Sequence, residues 1–176
     1  MARKAAIFIG VVVLGFVLFF GYRISRVWRM KTAAAEKARS LPVFSFTRLD
    51  GTPFTDDSLP NDGRRLIIML FSPDCEHCQH TAKNFVRRVR SLGSCRLLLV
   101  TLADSLAAAQ FYTDYRLELL PQLILLRDPG ANFPRIFGVG VIPSFFVYKD
   151  RRLVNKFIGE SRLDNLLSDL PLHSEP

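Results

Sequence analysis

The segment Phe71-Ser72-Pro73-Asp74-Cys75-Glu76-His77-Cys78 constrains this chain more than any other. The apolar run Leu66 to Phe71 has the length of a buried strand, and it is followed by the turn-forming residues Ser72-Pro73-Asp74. A helical pattern follows, so two cysteines three residues apart stand at a helix N-terminus. Free backbone N–H groups and the helix dipole at that position favour a thiolate on the first cysteine. Thiols at this spacing can close a disulfide with each other, and a thiolate is the species that attacks another disulfide. The segment has the outline of a thiol–disulfide exchange site.

The same spacing occurs in haem and zinc sites. Haem attachment needs His directly after the second cysteine, and Gln79 stands there. A structural zinc site usually takes a second ligand pair, yet the only other cysteine is Cys95. Cys75, Cys78 and His80 remain as a three-ligand alternative. The redox reading is preferred, with no metal ligand assigned and no cofactor beyond a Cys75–Cys78 disulfide. A metal-binding (copper or zinc) or redox-sensing module is the alternative.

The 176 residues suffice for one ordinary domain and an appendage. Ala5 to Tyr22 contains no charged residue and is rich in Val, Phe, Ile and Leu. As a helix it spans roughly 27 Å, close to the thickness of a bilayer core. No small-x-small cleavage site follows it closely, so a retained transmembrane anchor over residues 5–22 is expected, after a short tail at 1–4. Residues 1–40 carry eight Lys/Arg and one Glu, whereas residues 41–176 are nearly balanced. The net charge of +8 therefore belongs to the membrane flanks. It suits lipid headgroups along a basic stalk at 23–40, and nucleic-acid binding is not expected.

Two arguments conflict over the side of the membrane. Arg23, Arg26, Arg29, Lys31, Lys37 and Arg39 outnumber Arg3 and Lys4, which by the positive-inside rule keeps the domain cytoplasmic. A dithiol site has disulfides to handle in an oxidising compartment. The expectation adopted is the cytoplasmic (inner) membrane, single-pass, with the domain on the periplasmic side.

The remainder, residues 41–170 before a tail at 171–176, alternates strands and helices. Val43 to Phe46 and Phe54 flank the hairpin-like turn Leu49-Asp50-Gly51-Thr52. Ala82, Phe85, Val86, Val89 and Leu92 line one helical face after Cys75, with Arg87, Arg88 and Arg90 opposite. Leu97 to Leu102 is a second buried strand, followed by an Ala-rich helix over about 105–117 and a weaker helical pattern at Phe133 to Val139. Phe145 to Tyr148 and Leu153 to Ile158 form a hairpin about Lys149-Asp150-Arg151-Arg152. Leu163, Leu166, Leu167 and Leu170 close the chain as an amphipathic helix. This order predicts an α/β domain with a central mixed sheet flanked by helices.

With Val141-Ile142-Pro143-Ser144-Phe145-Phe146-Val147 and Gly159 after the last strand, the pattern resembles the thioredoxin fold. Within it, the chain resembles the membrane-anchored, TlpA-like thiol–disulfide oxidoreductases of the AhpC/TSA-related group. The resemblance covers about residues 41–170. The 68 positions from Cys75 to Pro143 fit that group's strand–helix insert, here about 121–138.

The resemblance implies that Cys75 attacks, Cys78 resolves, and a cis Ile142-Pro143 bond forms the edge on which a substrate docks. Partners would be protein thiols and disulfides, with apocytochromes or a membrane electron donor as candidates. Thioredoxins keep a buried carboxylate six positions before the first cysteine as a proton relay, and Met69 stands there instead. Glu76 and His77 between the thiols are expected to tune Cys75 in opposite directions. A peroxiredoxin pattern would place Pro at position 68, which is Ile68, although Ser72 fits its second requirement. A copper-delivery pattern needs a distant His, and His173 in the tail is the only one. Cys95 reads as a structural or incidental thiol.

Overall fold

The computed structural model of the chain describes residues 15–23 and 38–168. The expected tail at 1–4, residues 5–14 of the expected anchor, residues 24–37 of the stalk and residues 169–176 lie outside the described residues. Helix α1 is described over 15–23, where Phe16, Val17, Leu18, Phe19 and Phe20 are all exposed. Among the described residues no helix is long and apolar enough to cross a membrane.

From Ser45 onward the order is β1 (Ser45–Arg48), β2 (Pro53–Thr55), β3 (Arg65–Phe71), α2 (Glu76–Arg87), β4 (Cys95–Thr101), α3 (Ser105–Asp114), β5 (Leu123–Arg127), α4 (Phe133–Phe137), β6 (Ser144–Lys149), β7 (Arg152–Ile158) and α5 (Leu163–Leu167). The seven strands form one mixed sheet in the order β2-β1-β5-β4-β3-β6-β7. β3, β4 and β5 are mutually parallel; β1 and β6 pair antiparallel to them on either side, and the edge strands β2 and β7 pair antiparallel to β1 and β6 in turn. β5 and α4 occupy the stretch where the resemblance implies a strand–helix insert.

The apolar runs that read as buried strands are central because both faces of the sheet are covered. Ile67, Met69 and Phe71 of β3 face a cluster with Ala82 and Phe85 of α2, Phe111 of α3 and Leu166 of α5. Leu66, Ile68 and Leu70 face the other side, with Phe44, Phe46, Phe54, Phe133 and Phe137. Phe133 stacks on Phe137 at a centroid distance of 4.3 Å and on Phe46 at 6.1 Å, which fastens the insert to the N-terminal hairpin.

Several boundaries differ from the sequence expectation. The first strand begins at Ser45, and Val43 is 82% exposed, because the chain reaches the sheet only after Phe44 has turned into the core. The helix after Cys75 ends at Arg87, and Val89–Leu92 continues as a tighter 3-10 turn that buries Leu92. Arg88, between them, is held to Asp164 at 2.7 Å. The Ala-rich helix ends at Asp114, and Arg116 takes a left-handed conformation (φ 53°) so that Leu117 can turn into the core. Asp150 and Arg151 both have positive φ, a two-residue turn of the type that matches strand twist.

The domain also begins earlier than Leu41. Ala38 is buried, its carbonyl accepts a hydrogen bond from the Tyr148 hydroxyl at 3.0 Å, and Ser40 bridges Arg152. The last residues assigned to the stalk are therefore part of the packed structure.

Candidate active site

The loop that leaves β3 is short and pinned at two points. Cys75 N–H donates to the Ser72 carbonyl at 3.2 Å, and the Gln79 side chain donates to the Pro73 carbonyl at 2.8 Å. The chain therefore turns within three residues, and Cys75 becomes the N-cap of α2 in an extended conformation. Its Sγ accepts a hydrogen bond from the Cys78 N–H at 3.4 Å, in the place an N-cap oxygen usually fills. The N-terminus of a helix, with its free N–H groups and dipole, is a place that accepts anions.

The two thiols are unbonded and differ in surroundings. Cys75 is half-buried, whereas Cys78 is fully buried. Burial pushes the Cys78 thiol up to about 12, and its hydrogen bond with Cys75 adds to the rise. A backbone hydrogen bond with Ser72 offsets the rise in part. Cys78 is therefore protonated at neutral pH, and Cys75 is the accessible sulfur.

The Ile142-Pro143 bond is cis. Pro143 directly precedes β6, whose Ser144 lies opposite Leu70 of β3, so it stands at the sheet end that carries Cys75. The Pro143 carbonyl accepts from Gly159 N–H at 2.8 Å. Ile142 and Cys75 both pack against the cluster that contains Cys78. Val141 and Ile158 are exposed at the same end and leave an apolar rim there.

Met69, at the position of the missing relay, is buried opposite Leu99 and Phe145. The residues between the cysteines divide. Glu76 is exposed in the first turn of α2. The described polar partner of His77 is Glu160 rather than the Cys75 sulfur, with Nδ1 3.0 Å from Oε2. The other oxygen of Glu160 lies 3.2 Å from His80 Nδ1. Sequence reasoning missed Glu160, although it directly follows Gly159 and its carboxylate is the natural partner of two His spaced to share a helix face. Among the described residues no group of three His, Cys, Asp or Glu could hold a metal ion, so Cys75, Cys78 and His80 are not assembled as a ligand set. Cys95 is buried at the start of β4, at the other end of the sheet, and burial raises its pKa.

Similarity to known proteins lies in the structure. A secreted Mycobacterium tuberculosis disulfide oxidoreductase homologous to E. coli DsbE is 22% identical, with a TM-score of 0.59 over 76% of this chain and 96% of that one. MTB dsbF, solved in mixed oxidised and reduced forms, is 24% identical with a TM-score of 0.59, covering 74% of this chain and 92% of that one. The fold is thioredoxin-like. A putative thioredoxin from Neisseria meningitidis, 19% identical, matches 73% of this chain and 85% of its own with a TM-score of 0.60. No protein-family model and no curated protein matches the sequence.

Proposed function

We propose that this protein is a membrane-anchored thiol–disulfide oxidoreductase that reduces disulfides of protein partners. The observation that carries this reading is the unlike environment of two thiols within one helical turn. Cys75 is reachable and its sulfur accepts an N–H bond, while Cys78 is buried and protonated.

The reaction follows from that asymmetry. The Cys75 thiolate attacks one sulfur of a partner disulfide, and a mixed disulfide forms as the partner's other sulfur leaves as a thiolate. Cys78 then loses its proton and attacks the Cys75 sulfur. The Cys75–Cys78 disulfide forms, and the second partner thiol is released. The partner gains two electrons and this protein loses two, so a dithiol donor must restore the reduced pair. A substrate strand beside Ile142-Pro143 would be held next to the attacked sulfur, with Val141 and Ile158 offering apolar contact. Glu76 and His77 are retained as tuning residues, with Glu160 controlling where the His77 ring sits.

The sequence resemblance and the thioredoxin-like neighbours support protein thiols and disulfides as substrates. Apocytochrome thiols and a membrane electron donor are the candidate partners. The uncharged segment 5–22 supports an anchor in the cytoplasmic membrane, and the need for a disulfide pool supports the extracytoplasmic side. A reporter fused after Pro176 reads that side directly, and one active only in the cytoplasm reverses the orientation.

Trapping tests the reaction itself. In cells, Cys78→Ser is expected to accumulate mixed disulfides on non-reducing gels, while Cys75→Ser does not. Equal trapping by both variants removes the assignment of roles.

A further inference from the structure

The sheet fixes which end of the domain receives the chain from α1. Parallel β3, β4 and β5 end together after Phe71, Thr101 and Arg127, at the end that carries Cys75. The β6–β7 turn lies at the opposite end, because Leu66 stands opposite Tyr148 and Leu70 opposite Ser144. β3 is seven residues long, so roughly 20 Å of strand separates the two ends. The chain is fastened at that turn. Leu41 N–H donates to the Arg151 carbonyl at 2.7 Å, and Leu153 N–H donates to the Arg39 carbonyl at 2.8 Å. The Tyr148–Ala38 hydrogen bond holds the residue just before them.

Charge follows the same axis. Lys149 and Arg152 are exposed at the turn and have no ion-pair partner among the described residues. Arg64 and Arg151 stand in the same region, paired with Asp62 and Asp56, and Asp150 is the exposed acid of the turn itself. Around Cys75 the exposed charges are the acids Asp74 and Glu76, with Glu160 between His77 and His80 and the exposed cation Arg162 beside Glu160.

We propose that the β6–β7 turn, with Lys149 and Arg152 as its unpaired cations, rests on anionic lipid headgroups beside the anchor and points Cys75 away from the membrane. The proposal rests on the anchor reading given above. Only residues 24–37 separate α1 from the packed segment, and fourteen residues span at most about 50 Å. Tethering makes the contact intramolecular, so two cations can hold a surface that a free domain would leave. The arrangement selects partners whose disulfide stands off from the bilayer by at least the length of the sheet.

Amine footprinting on the full chain tests this orientation. The protein is assembled into lipid nanodiscs of phosphatidylcholine alone, or with about one-third phosphatidylglycerol. Exposed lysines are acetylated briefly and quantified by mass spectrometry. Lys149 is expected to react at least about threefold more slowly in the anionic discs, while exposed Lys83 on α2 reacts equally in both. Arg152→Glu is expected to return Lys149 to its rate in neutral discs. Equal Lys149 rates in the two discs, or protection of Lys83 instead, overturns the proposal and leaves the anchor and exchange readings standing. A chain that elutes apart from both discs overturns the anchor reading and this proposal with it.

Discussion

The Cys78 N–H donates to the Cys75 sulfur across 3.4 Å, so one turn of α2 ties the half-buried thiol to the fully buried one. The bond does nothing to ionise Cys78, whose thiol is pushed up to about 12 by burial first. In the proposed reaction, attack and resolution therefore have different proton requirements. Collapse of a preformed mixed disulfide between Cys75 and glutathione should accelerate about tenfold per pH unit over roughly pH 6 to 9, because only the Cys78 thiolate resolves it. Rapid-quench measurement at several pH values reads this slope. A plateau beginning near neutrality would show that Cys78 ionises far more readily than its burial allows.

The same raised thiol links stability to pH. Below about pH 9, its ordinary value, Cys78 is protonated in both the folded and the unfolded chain, and its contribution to stability is complete. As pH rises toward the folded value of about 12, the unfolded chain releases its proton first and that contribution is lost. The ceiling is about 4 kcal/mol, with roughly 2 kcal/mol lost by about pH 10.5. Urea unfolding of the reduced protein and of Cys78→Ala isolates the effect. The advantage of the parent over the variant should shrink by that amount between about pH 8 and 10.5, and a constant difference would contradict it.

How much of this was legible depended on where the determining interactions lie. The strand before Cys75 was readable because Leu66 to Phe71 is buried on both faces, and the Cys75 N-cap because it depends only on neighbours in sequence. Helix ends were not readable where tertiary contacts set them. Nothing local to Arg88 announces its partner Asp164, and nothing near Arg116 announces its left-handed turn. Glu160 was missed for the same reason, since its pairing with His77 and His80 spans the whole second half of the domain. The early start at Ala38 depends on Tyr148, a residue 110 positions away.

That contact carries its own expectation. Tyr148→Phe removes the donor and leaves the buried Ala38 carbonyl unpaired, which should cost about 1 kcal/mol. A chain shortened to begin at Leu41 loses the same bond, so Tyr148→Phe should have little further effect in it. Denaturant unfolding of the four proteins forms the cycle. Fully additive losses would mean that the hydroxyl stabilises the domain by some route other than Ala38.

Met69 offers the sharpest test of the missing proton relay. It is 1% exposed, between Leu99 and Phe145, in the same buried cluster as Cys78. An aspartate there would be buried in an apolar cluster, so Met69→Asp should lose about 3 kcal/mol of stability. Burial raises the new carboxyl, which brings it nearer to the pH at which it can accept a proton from Cys78. Resolution of the mixed disulfide at neutral pH should rise by about tenfold or more and depend less steeply on pH. Attack by Cys75 should stay unchanged, since it needs no such acceptor. Met69→Asn is the control, expected to share the stability loss without the acceleration. If the aspartate variant folds and resolves no faster than the asparagine one, proton removal from Cys78 does not limit resolution, and its burial shapes the site without setting the rate.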